Sequence, residues 1–133
     1  MKAEVKSQLS VVVPNKPGQI AAMSKMLLDA KINLQAVMFV DSQGQGIVRF
    51  IVDKTEEAKN IFEEAGFFVV VAEVVEVEFD NTPGALYELS KALGDAGINI
   101  DYAYGCDNPD PRATRVTFKL SDVKKGLEVV KKL

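Results

Sequence analysis

Gln8–Val13 is a short run of apolar, β-branched residues, the pattern of a strand. Ile20, Met23, Leu27 and Ala30 then recur at spacings of 3, 4 and 3. That period marks one face of a helix. Pro17 is expected at its first helical position, where a fixed φ helps and a missing N–H costs nothing. Ile32–Val40 and Ile47–Val52 are apolar stretches flanking Asp41-Ser42-Gln43-Gly44-Gln45-Gly46, which reads as a hairpin. Lys54–Ala65 predicts a second helix with Ala58, Ile61, Phe62 and Ala65 inward. Gly66 is placed to stop it in a left-handed conformation. Phe67–Ala72 predicts a fourth strand.

The pattern then begins again. Asn15-Lys16-Pro17-Gly18 recurs as Asn81-Thr82-Pro83-Gly84, an offset of 66 residues. Residues 15–33 match residues 81–99 with 10 identities in 19 positions, among them Asn33 and Asn99. Leu86, Leu89, Leu93 and Ala96 repeat the first helix face in the same register. Val74–Phe79, Thr82–Ala96, Ile98–Gly105, Thr114–Leu120 and Asp122–Leu133 supply strand, helix, strand, strand and helix. The reading is α+β: two ferredoxin-like βαββαβ units, residues 1–72 and 73–133. They join near Ala72–Glu73 without the Gly, Ser or Pro enrichment of a linker. The second unit lacks most of its last strand. An open sheet edge is a liability, so Met1–Lys6 or a partner chain is expected to cover it.

Composition narrows the chemistry. With one Cys and no His, the chain has no Cys/His zinc site, no Ser-His-Asp triad and no imidazole base. Cys106 alone forms no intrachain disulfide. A pI near 5.0 gives no basic footprint for nucleic acid. No apolar run approaches the ~20 residues of a membrane span, and Met1–Ser10 is too charged for a signal peptide. A single thiol agrees with a cytoplasmic location.

Candidate chemistry therefore falls on the loops. Asn-x-Pro-Gly leads from a strand into a helix whose first N–H groups are unpaired and carry partial positive charge. Such an end accepts a carboxylate or phosphate. Gly18 and Gly84 leave the backbone open to approach; the plainer reading is that Pro-Gly only makes the turn. Asn33 and Asn99 begin the strand that leaves each helix, and an Asn there is expected to point toward the Asn15 or Asn81 loop. Two amides converging on one helix end would suit a zwitterion. The plainer reading is that they tolerate a left-handed turn.

Asn-x-Pro-Gly, an amphipathic helix, then Asp-Ala-x-Ile-Asn resembles the ACT domain, a small amino-acid-sensing module, twice over nearly the whole chain. The chain is similar to tandem ACT proteins without a catalytic domain. The resemblance implies units paired side by side, with a free amino acid between paired units. It places ligand contacts on Asn15 and Asn33, and on Asn81 and Asn99; the turns and helix starts add Lys16, Pro17, Gly18, Gln19 and Ile20, and Thr82, Pro83, Gly84, Ala85 and Leu86. It implies no catalytic activity, no cofactor, a homodimer through sheet edges or helix faces, and a regulated metabolic enzyme as a further partner. Some members carry a His two residues before the first Asn; here Val13 and Phe79 stand there.

The copies differ. Thr82 is expected to cap its helix, whereas Lys16 adds charge and caps nothing, so the first loop is expected to be the better anion acceptor. Arg49 and Arg115 sit inside apolar strands and are expected to face outward against a surface acid. Tyr102, Tyr104 and Cys106 line the strand after Asn99. Asp107–Arg112 reads as a loop without the ligand count of a Ca²⁺ site. Two other functions fit the fold: an assembly module without ligand, and an acylphosphatase-like hydrolase. The hydrolase reading lacks its loop Arg, because Lys16 is the only cation there.

Overall fold

A computed structural model describes residues 1–133. In chain order the elements are β1 (Lys2–Pro14), α1 (Gln19–Asp29), β2 (Leu34–Ser42), β3 (Gln45–Val52) and α2 (Thr55–Glu64). There follow β4 (Phe68–Asp80), α3 (Ala85–Asp95), β5 (Ile100–Cys106), β6 (Ala113–Leu120) and α4 (Val123–Lys131). The strands expected at Phe67–Ala72 and Val74–Phe79 are one strand of 13 residues. No Gly or Pro interrupts the chain there, so nothing forces a turn.

Two compact units form. One is Ser7–Ala72; the other is Glu73–Leu133 with Met1–Lys6. The division falls between Ala72 and Glu73, and the first six residues cluster with the second unit. They stand beside β4, on the side away from β6.

In Ser7–Ala72 the strand order is β2-β3-β1-β4, using the first part of β4. β1 pairs antiparallel with β3, from Leu9↔Phe50 to Pro14↔Gln45. β2 pairs antiparallel with β3 through a two-residue turn, Gln43 (φ 53) and Gly44 (φ 84). Two positive φ values make this the hairpin turn whose twist matches the strands. Leu9, Val11 and Val13 of β1 and Val48, Phe50 and Val52 of β3 meet Met23, Leu27, Ala58 and Phe62 from the helices. The rings of Phe50 and Phe62 stack at 5.6 Å. Each of these side chains other than Ala58 contributes about 1.5–3 kcal/mol on burial.

In the other unit the order is β1-β4-β6-β5, using the first part of β1. Val75, Val77 and Phe79 of β4 and Phe118 and Leu120 of β6 pack on Leu89, Leu93 and Val130. Met1 and Ala3 pack against this core from the N-terminal segment. On α3 the residue buried in the first turn is Ala85; Leu86 is 53% exposed. The register with α1 holds, since its buried residues are the equivalent Gln19, Met23 and Leu27, but Leu86 does not pack inward as its counterpart Ile20 does.

Three helices end alike. Ile32 N–H donates to Leu27 O and Lys31 N–H to Leu28 O; Phe67 to Phe62 and Gly66 to Glu63; Ile98 to Leu93 and Gly97 to Gly94. This paired bonding is the Schellman motif, whose first residue past the cap is left-handed. Gly66 (φ 92) and Gly97 (φ 74) take that conformation freely, while Lys31 (φ 56) takes it against its Cβ. Asn33 and Asn99 are not among the positive-φ residues.

Candidate functional site

The two Asn-x-Pro-Gly loops share one geometry. Gln19 N–H donates to Lys16 O at 3.2 Å, and Ala85 N–H to Thr82 O at 3.3 Å. Gly18 has φ 84, ψ −5; Gly84 has φ 94, ψ −16. A Pro followed by a left-handed Gly across such a bond is a type II turn. Pro17 and Pro83 therefore occupy the turn, not the first helical position. The helix caps are Gly18 and Gly84, neither with a side-chain cap bond. Thr82 does not cap α3; its own N–H donates to Asp80 O at 2.8 Å. The contrast is α4, where the Asp122 carboxylate accepts from Lys125 N–H. With a glycine cap, no side chain covers the first N–H groups of α1 or α3.

The asparagines brace these loops. Asn15 N–H donates to Gly44 O at 3.1 Å, and its amide Nδ2 donates to Asp41 Oδ1 at 2.8 Å. Asn81 N–H donates to Arg112 O at 2.8 Å, and its Nδ2 to Pro111 O at 3.5 Å. Each Asn thus ties its turn to the connection between the next two strands. The Asp41 carboxylate also places negative charge beside the first loop.

Asn33 and Asn99 do not join them. Pro14 lies opposite Gln45 and Leu34 opposite Val52, so Asn15 and Asn33 sit at opposite ends of β3. Seven strand steps separate those ends, about 23 Å. The second copy repeats this, with Asp80 opposite Ala113 and Ile100 opposite Leu120. The expected convergence of two amides within one copy does not occur. Asn33 N–H instead donates to Asp53 Oδ1, and Asn99 N–H to Ser121 Oγ, both at 2.9 Å. Asn99 Nδ2 donates to Asp101 Oδ1 at 2.9 Å.

A cavity of about 740 Å³ lies beside the second loop. Thr82, Pro83 and Ala85 line it, as do Met1 and Lys2. Its charged groups include Asp80, Glu88, Asp110 and Arg112. Asp110 and Arg112 are bound to each other, Nε to Oδ1 at 3.1 Å and an Nη to Oδ2 at 3.2 Å. These side-chain bonds, with the Arg112 backbone N–H, hold the Asp110 carboxyl below its usual range. Of the other expected contacts, Gln19 is buried, Ile20 is packed on its core, and Lys16 is exposed.

Arg112 and Lys2 were not singled out from the sequence. Asp107–Arg112 reads there only as a loop. The register of β4 with β6 is what brings it to Asn81. Arg115 reaches Glu76 at 3.6 Å and Glu78 at 3.9 Å, as expected of an outward strand residue. Arg49 stands half-buried opposite Ser10 and Met38. Cys106 Sγ lies 3.3 Å from Thr117 Oγ1.

Comparison with solved structures finds a Bacteroides thetaiotaomicron protein at 30% identity and TM-score 0.89, covering 98% of this chain and 89% of that one. The regulatory subunit of aspartate kinase from Thermus thermophilus, in its ligand-free form, aligns at 16% identity and TM-score 0.73, over 99% and 97% of the two chains. Aspartokinase III of E. coli, in complex with lysine and aspartate, aligns at 14% identity and TM-score 0.58, over 98% of this chain and 31% of that one. A search of curated proteins gave no match. The family model described as an ACT domain pair matches residues 4–130. Two βαββαβ units, each opening its first helix with an uncapped Pro-Gly turn, are what that model spans, and the chain belongs to the ACT domain pair family.

Proposed function

We propose that the protein is a sensor of a free amino acid, which it binds without chemical change and reports to an enzyme of amino-acid metabolism. The observation that carries this is the cavity beside the second loop, where the uncapped start of α3 meets both signs of charge. The first N–H groups of α3 suit the ligand's carboxylate. Asp80 or Glu88 suits its ammonium group. Two or three charge-assisted hydrogen bonds, at about 1.5–3 kcal/mol each, reach the roughly −6 kcal/mol of a dissociation constant near 10⁻⁵–10⁻⁴ M. The aspartate kinase relatives support the reading, one by being a regulatory subunit and one by holding lysine and aspartate.

Two chains pair through sheet edges or helix faces in this proposal, and the partner copy closes the solvent side of the cavity. Leu86 and Tyr87, 53% and 67% exposed on the first turn of α3, support a helix-face contact. A thermal-shift screen of the standard amino acids tests the function. A ligand at 100 times its dissociation constant stabilises by about 2.7 kcal/mol. By calorimetry, Glu88→Gln is expected to weaken the hit about tenfold, the loss of one charge-assisted bond, and Lys16→Ala to leave it unchanged. The reverse outcome would move the site to the first loop, and a flat screen would favour an assembly module.

A further inference from the structure

The 66-residue offset aligns Lys2–Lys6 with Phe68–Ala72. The two segments fill the same place, each completing a four-stranded sheet. They are anchored unequally. Phe67 and Val69 pack on the first core; the N-terminal segment sends Met1, whose amino group also donates to Leu133 O at 2.8 Å, and the much smaller Ala3 to the second. Lys2 is 87% exposed and 4.0 Å from Glu78. Such an ion pair contributes little. Lys6 and Glu4 pair with each other at 3.2 Å, within the segment itself.

The same segment lines the cavity through Met1 and Lys2, as do Pro83 and Ala113. An amino acid seated between the start of α3 and this segment touches it. We propose that Met1–Lys6 is a strap that undocks more readily than the rest of the sheet, and that an amino acid in the cavity pins it down. This rests on the sensor reading above. A ligand that binds only the docked form must favour docking, by a factor of one plus its concentration over its dissociation constant. Undocking leaves the edge of β4 beside this segment unpaired.

Amide exchange followed by mass spectrometry on the full chain tests this, alone and with the standard amino acids at about 1 mM each. In the free protein, Lys2–Lys6 is expected to exchange at least about tenfold faster than Phe68–Ala72, as a less anchored segment should. The mixture slows the strap about tenfold, for a dissociation constant near 10⁻⁴ M, and leaves Phe68–Ala72 unchanged. Equal exchange of the two segments in the free protein overturns the proposal. If calorimetry registers binding but strap exchange does not change, the strap proposal falls and the sensor reading stands. If no amino acid binds, the sensor reading falls, and Ala113→Leu or Thr82→Leu, filling the cavity from two other lining positions, decides the strap. Slower strap exchange in a folded variant supports the shared seat, and unchanged exchange overturns it.

Discussion

At matched positions the helix-free faces of the two sheets carry opposite chemistry. Residues alternate between faces along a strand, so Val12, Phe68 and Val70 point away from the core that Val11, Val13, Phe67 and Val69 join. They are 40%, 68% and 46% exposed. The equivalent positions 66 residues away are Glu78, Lys2 and Glu4. Across β3 the same row continues as Ile47 opposite Val12 and Val40; across β6, Arg115 lies opposite Glu78 and bonds it. The core faces stayed alike while the open faces diverged. The lesson is that duplication fixed the packing and left the surfaces free to specialise. The charged face is compatible with water; the apolar one is the kind of patch that soluble chains usually cover or use.

Three measurements test how far the copies differ. The largest effect is expected at the helix ends. Lys31→Gly should stabilise the protein by about 1–2 kcal/mol, relieving a left-handed Lys, and Gly97→Lys should destabilise it by a similar amount. Urea unfolding of both variants checks this; two shifts of the same sign would remove the helix ends from the comparison. A smaller effect on stability, within about 0.5 kcal/mol, is expected from the double variant F68K/V70E, because both side chains already face solvent. Its signature is reduced fluorescence of a hydrophobic dye; unchanged dye binding would mean that the apolar face is not what distinguishes the first copy. The smallest effect is at the second loop. Arg112 lowers the Asp110 pKa in the folded chain. The pair's contribution is present above the carboxyl's ordinary value, ~3.9, and is lost as pH falls through the lowered folded value. Arg112→Ala should raise the Asp110 midpoint toward that ordinary value in an NMR titration. An unmoved midpoint would show that Arg112 does not set the charge at this loop.

Much of the fold is legible in the sequence. The helix period of Met23, Leu27, Leu89 and Leu93, and the repeat itself, need no structure to be seen. The errors have physical causes. Pro17 satisfies a turn and a first helical turn equally well, since both need the same φ, and only the Gly18 φ decides between them. Ala85 and Leu86 both fit a 3.6-residue period to within one position, so volume misled where depth mattered. Asn33 is near Asn15 in sequence pattern but not in space. The strand that leaves a crossover helix starts at the end where β1 starts, far from where β1 stops. The cavity was invisible for a related reason: Lys2, Thr82 and Arg112 come from three separated segments.

The place of Met1–Lys6 has one more consequence. The Met1 amino group donates to Leu133 O at 2.8 Å, so residues 1 and 133 are neighbours. Joined there and reopened between Lys6 and Ser7, the chain would become a circular permutant. Read from its new start, that permutant would be two whole βαββαβ units in succession, with no strand borrowed across the sequence.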